Sequence, residues 1–165
     1  MAVLIADNDR AVSGLLTDVL RQSGLSILHA YDGDAAILMA RDERVGVLVC
    51  DLDMPGASGL EVLESLRALP NPPRAIVISG YLDTKIEARL RSMPFVLEVL
   101  RKPFDLLVFA GVVRRISAMG EAQAAPDGPP SAANPGPHGP HLRGPGETGE
   151  DAGDGPGNRG VAVEH

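Results

Sequence analysis

The chain has 165 residues, 44% of them apolar, which suits one domain with a real core. Its formal net charge is −7, so the basic footprint of a nucleic-acid binder is absent. A lone cysteine, Cys50, excludes an internal disulfide and a thiolate zinc cluster, and no apolar window approaches the ~18 residues of a membrane span.

In chain order, "AVLIA" (2–6) reads as a buried strand. The N-terminus before it has no basic flank and only a short apolar run, so no signal peptide is expected and the chain is expected to be cytoplasmic. "RAVSGLLTDVLRQSG" (10–24) sets Val12, Leu15, Leu16, Val19 and Leu20 at helical spacing and stops at Gly24, with Asp9 as its cap. "LSILHA" (25–30) is a second strand, and His29 within it is read as structural. Asp32 and Gly33 read as a turn; "DAAILMARDER" (34–44) is a second helix capped by Asp34.

"VGVLVC" (45–50) is a third strand that places Cys50 as a small buried residue. Met54-Pro55-Gly56 breaks it, and "SGLEVLESLRAL" (58–69) follows as a helix with Ser58 and Glu61 at capping-box spacing. "RAIVIS" (74–79) and "LDTKIEARLRS" (82–92) are the fourth strand and helix. "FVLEVLR" (95–101) is the fifth strand, and "PFDLLVFAGVVRRIS" (103–117) the fifth helix, with Pro103 near its start and Arg114-Arg115 suiting its C-terminal dipole.

Beyond the helix the composition changes. From Glu121 onward lie ten of the nineteen glycines and eight of the fourteen prolines, without Ile, Phe, Tyr or Met. Seven acidic residues there oppose only Arg143 and Arg159, so most of the net charge sits in this part. Such a segment cannot bury enough apolar surface to offset its ordering entropy. The expected organisation is a folded domain over 1–119 and a disordered, acidic Gly/Pro-rich tail over 120–165. His138, His141 and His165 in that tail are too scattered for a metal site.

Five strands alternating with five helices imply right-handed crossovers and an open, doubly wound α/β parallel sheet. In such sheets chemistry gathers beyond the carboxyl ends of the strands. There the sequence places Asp7-Asn8-Asp9, Tyr31-Asp32, Asp51-Leu52-Asp53, Ser79-Gly80 and Arg101-Lys102-Pro103. Two carboxylates about 4 Å apart repel by roughly 4 kcal/mol at an effective dielectric of about 20, so keeping several ionised calls for a cation. Oxygen ligands favour Mg2+, and a nearby ammonium and hydroxyl suit phosphoryl oxygens. The set Asp7, Asn8, Asp51, Ser79 and Lys102 therefore reads as a Mg2+-assisted phosphoryl site with Asp51 as nucleophile.

The pieces "VLIADND", "VLVCDLDMPGASGLEVL", "AIVISG" and "VLRKPF" fall in this order at the strand ends, and over residues 2–118 the chain resembles the response-regulator receiver domain of two-component signalling, a CheY-like flavodoxin-type fold with strand order 2-1-3-4-5. The resemblance implies that Asp51 is the phosphoacceptor, phosphorylated from a histidine kinase, a histidine phosphotransfer protein or a small phosphodonor. It implies that Asp7, Asn8, Asp51 and the backbone carbonyl of Asp53 hold Mg2+, and that Ser79 and Lys102 attend the phosphoryl group. Side chains at Asp53 and Tyr81 flank the site and can gate water.

Two positions depart from the family pattern. Asn8 stands where a second acid is usual, which predicts weaker Mg2+ binding. Val99 stands where Tyr or Phe usually swings inward with the hydroxyl residue.

The leading expectation is a stand-alone, non-enzymatic switch whose output is contact with an unidentified target protein, through the surface of helix four, strand five and helix five. A degenerate receiver that binds partners without phosphorylation is the alternative. A haloacid-dehalogenase-type phosphatase fits less well, because its Asp-x-Asp motif follows the first strand whereas "DLDMPG" follows the third.

Overall fold

Apolar runs of five to seven residues, each ended by a polar or turn-forming residue, become strands that are covered on both faces. The computed structural model describes residues 1–123; the composition expected to be a disordered tail lies, past Gln123, outside the described residues. Along the described chain run β1 (Ala2–Ala6), α1 (Arg10–Leu20), β2 (Ser26–Ala30), α2 (Gly33–Met39), β3 (Val45–Asp51), α3 (Gly59–Leu66), β4 (Arg74–Ser79), α4 (Thr84–Arg91), β5 (Val96–Arg101) and α5 (Leu106–Gln123). All pairings are parallel and the strand order is β2-β1-β3-β4-β5, as expected.

Because side chains alternate along a strand, the sheet feeds two cores. Leu4, Ala6, Leu48, Cys50, Ala75 and Val77 pack with Ala36 of α2, Leu63 of α3 and Leu90 of α4. Val3, Ile5, Val47, Val49, Ile76 and Ile78 pack on the other face with Leu16 and Leu20 of α1 and Phe109, Val113 and Ile116 of α5. The apolar runs are thus two interleaved faces, and every central strand is sealed from water.

The helix starts obey capping chemistry. Asp9 accepts from the amides of Ala11 and Val12 at 2.9 and 3.2 Å, as expected. Ser58 and Glu61 form the expected reciprocal box. The cap of α2 is Asp32, whose carboxylate accepts from Ala35 N at 2.7 Å. Asp34, expected in that role, lies in the first turn instead, where its charge still suits the dipole.

Helix ends differ more. The first helical segment closes through a 3-10 turn, Arg21–Ser23, onto Gly24 at φ 70°, a left-handed conformation that glycine adopts without strain. α2 stops at Met39, five residues before its expected end. The peptide Lys102–Pro103 is cis, and α5 begins only at Leu106, where Asp105 accepts from Leu107 N and Val108 N; it then runs to Gln123, six residues beyond the expected end.

Candidate functional site at the carboxyl ends of the strands

β1 and β3 pair with Ala6 opposite Cys50, so the next residue of each, Asp7 and Asp51, emerges side by side. Ile78 of β4 lies opposite Asp51, which brings Ser79 to the same edge. The Lys102 amide donates to the Ser79 carbonyl at 2.9 Å and extends the sheet by one residue toward the site. The topology therefore converges Asp7, Asp51, Ser79 and Lys102 from four different strands.

Asp51 is 4% exposed and Asp7 2%. The Lys102 ammonium donates to Asp51 Oδ2 at 2.5 Å and stands 4.0 Å from Asp7 Oδ2. Asp51 Oδ1 accepts from the Asp53 amide at 3.0 Å, and Asp7 Oδ1 from the Asp9 amide at 2.8 Å. Asp7 Oδ2 is buried and accepts no hydrogen bond among the described residues. Asn8 and Asp53 are exposed at the rim.

Burial raises the Asp7 pKa, and repulsion from Asp51 adds to the rise; the Asp9 amide and Lys102 oppose it. Burial works against the Lys102 ammonium, but the hydrogen bond and charge of Asp51, with the charge of Asp7, outweigh it and raise the Lys102 pKa. Lys102 at neutral pH is therefore a fixed cation.

The donor set fits a hard divalent ion. A buried carboxylate oxygen without a donor, beside a second carboxylate, is the kind of group that a cation satisfies. Among the described residues, however, no cluster of three or more His, Cys, Asp or Glu side chains forms a metal site. Asn8, exposed beside Asp7, brings a neutral amide rather than a carboxylate to this edge. Such a poor ligand set suits Mg2+, which keeps much of its water.

The Ser79 hydroxyl is engaged by the backbone of Tyr81. It donates to the Tyr81 carbonyl at 2.6 Å and accepts from the Tyr81 amide at 3.1 Å, while the Tyr81 side chain is largely exposed. Val99 packs among the apolar residues on the α4 side of the sheet. Beside it, between α4 and β5, lies a groove of about 270 Å³ lined by Leu82, Leu90, Val96 and Val99 together with the charged Glu87, Arg91, Glu98 and Arg101.

One arrangement at this edge is not legible from the motifs. The Arg10 guanidinium lies 3.9 Å from the ring centroid of Tyr31, which itself stacks on His29. The available signal is a cation at the first position of α1, where the helix dipole disfavours one. His29 Nε2 lies 3.2 Å from Thr17 Oγ1, while its Nδ1 is buried with no hydrogen-bond partner among the described residues.

The profile of the response regulator receiver domain matches residues 3–111. Transcriptional regulatory protein FixJ of Rhizobium meliloti is 32% identical over 115 residues, covering 70% of this chain and 56% of that protein. Transcriptional regulatory protein PrrA of Mycobacterium tuberculosis is 32% identical over 118 residues, covering 71% of this chain and 48% of that protein. The chain thus spans about half the length of these relatives. Among solved structures, a response regulator receiver protein from Pseudomonas putida matches with a TM-score of 0.63 at 27% identity, covering 69% of this chain and 95% of that one. A CheY-like receiver domain protein from Methanospirillum hungatei matches with a TM-score of 0.68 at 18% identity, covering 74% and 98%.

Proposed function

The chain belongs to the response-regulator receiver family of two-component signalling, and from that premise we propose that Asp51 is its phosphoacceptor and that phosphorylation switches its contacts with other proteins. The observation that carries this reading is the buried pair Asp51 and Asp7 with the Lys102 ammonium 2.5 Å from Asp51 Oδ2. A buried carboxylate at a strand end, bonded to a fixed cation and set beside a second carboxylate, is poised as a nucleophile rather than as a structural group.

In the proposed step an Asp51 oxygen attacks the phosphorus of a phosphohistidine on a sensor kinase or a phosphotransfer protein. An O–P bond forms, the N–P bond breaks, and the departing imidazole nitrogen takes up a proton. Lys102 exchanges its contact with Asp51 for a phosphoryl oxygen and stabilises the charge that the transfer brings into a poorly solvated site. Ser79 reaches a phosphoryl oxygen only by giving up its hydrogen bond to Tyr81. Asp7, Asn8, Asp51 and the Asp53 carbonyl would hold Mg2+, which when bound neutralises charge on the phosphoryl oxygens. Hydrolysis by water returns the carboxylate, and Asp53 and Tyr81 flank its path.

The phosphoryl group adds about two negative charges, enough to bias a bistable loop. The output we propose is protein contact through α4, β5 and α5, where Val99 stands in place of an inward-swinging ring beside a groove of mixed apolar and charged lining. The domain on this reading is a switch and not an enzyme.

Incubation with acetyl phosphate and Mg2+, followed by intact-mass and peptide analysis, tests the assignment. A single phosphoryl group on Asp51, lost in Asp51→Asn, is expected. Incorporation that persists in Asp51→Asn contradicts it. Asn8 and Val99 favour one second reading, a receiver that binds partners without phosphorylation, and no incorporation in the wild type supports that one.

A further inference from the structure

Arg10 is exposed, yet it is held in place. It has no carboxylate within ion-pair distance among the described residues, unlike Arg21, Arg44, Arg89, Arg101 and Arg115. Its guanidinium face rests on Tyr31 with Cζ 3.9 Å from the ring centroid, well inside cation–π range. Tyr31 stacks on His29 with the rings 3° from parallel and centroids 5.9 Å apart. Thr17 donates its hydroxyl proton to the Ser13 carbonyl at 2.9 Å, so at 3.2 Å from His29 Nε2 it acts as acceptor and fixes the imidazole. The result is a layered platform, Thr17–His29–Tyr31–Arg10.

This platform is tied to the phosphoryl site through the backbone. The Asp7 amide donates to the carbonyl of Ala30, the residue before Tyr31, at 3.1 Å. Asp7 Oδ1 accepts from the amide of Asp9, the residue before Arg10. Stacking occupies the guanidinium face, and among the described residues no hydrogen bond or ion pair engages its N–H edges, the part that grips phosphate in a bidentate fashion.

The mouth of the site needs such a group. Asp7, Asp9, Asp51 and Asp53 all repel an approaching dianion, and Lys102 is already engaged by Asp51. Asn8 removes one acid from this repulsion but also weakens the cradle for a neutralising metal. We propose that Arg10, held by Tyr31, is the residue that first receives the dianionic phosphoryl group of the incoming donor, and that Tyr31 is its positioning residue. This rests on the reading of Asp51 as phosphoacceptor.

The donor can be an acyl phosphate or a phosphohistidine, so acetyl phosphate and phosphoimidazole serve as probes. Second-order phosphorylation rate constants of the full chain are measured with each, at low and high ionic strength. Arg10→Gln is expected to lower both constants about tenfold at low salt and to flatten their salt dependence, the signature of lost steering. Its dephosphorylation rate should stay at the wild-type value. Tyr31→Phe should keep the wild-type constants, and Tyr31→Leu should reproduce the Arg10→Gln loss. If Tyr31→Leu does not fold, the exposed Arg10→Gln decides alone. Unchanged constants in Arg10→Gln, or a fall confined to one donor, overturn the assignment while leaving Asp51 as the acceptor. A wild type that neither donor phosphorylates removes both readings together.

Discussion

Burial holds the Asp7 carboxyl above its ordinary pKa of 3.8, so between that value and the raised one the folded state binds more protons than the unfolded state. Stability then falls as pH rises through this window, and the loss is complete above the folded pKa. Asn at this position mimics the protonated form. Asp7→Asn should therefore stabilise the domain at pH 7, with a gain that shrinks to nothing as the pH is lowered below 3.8. Thermal melts of both proteins across this range check it, and a variant less stable than the wild type at pH 7 contradicts it.

Asn8 yields a second expectation at the same scale. Restoring a carboxylate beside Asp7 and Asp51 should tighten Mg2+ by about tenfold, or ~1.4 kcal/mol, as read by calorimetric titration of Asn8→Asp. Equal affinity for the metal in both proteins sinks the idea that the amide weakens the cradle. These site residues were legible in the sequence because each ends an apolar strand, where a buried sheet meets solvent. The Ser79 hydroxyl's engagement with the Tyr81 backbone was not legible, since it depends on how the loop after β4 turns. Nor was the seat of Arg10 on Tyr31, which joins residues 21 positions apart that no periodicity links.

At the scale of elements, α3 shows how directly local chemistry sets a boundary. Ser58 Oγ accepts from Glu61 N at 3.3 Å, and Glu61 returns a bond to Ser58 N at 2.7 Å. Ser58→Ala should cost about 1 kcal/mol in chemical denaturation with an unchanged m-value, and no loss would mean that the box is ornamental. The strands were read to within a residue at either end, because continuous apolar runs bounded by polar residues have few other readings. The helices were read less well at their ends. α2 has two adjacent candidate caps, Asp32 and Asp34, and only the geometry of Gly33 against the next loop selects the first: a Cβ there would meet the Ala57 carbonyl at 1.7 Å. At α5, Pro103 looks like a first helical residue in sequence, but the helix begins only at Leu106, and Asp105 takes the cap.

Among the described residues, the five-stranded sheet packs one core on each face, and the candidate site lies at the carboxyl edge of its strands. The carboxylates after β1 and at the end of β3, the hydroxyl at the end of β4 and the lysine after β5 come to one edge because the strand order is β2-β1-β3-β4-β5. On the proposed reading, a phosphoryl group on Asp51 would engage Lys102 and, once it leaves the Tyr81 backbone, Ser79, and so couple the separate strands into one switch. Beryllofluoride with Mg2+ mimics that group on a carboxylate. A ligand that binds only the folded state at a hundred times its Kd stabilises it by about 2.7 kcal/mol, a shift of several degrees in Tm for a domain of this size. The account predicts that rise in the wild type and its disappearance in Asp51→Ala; an unshifted wild-type Tm, or an equal rise in the variant, contradicts it.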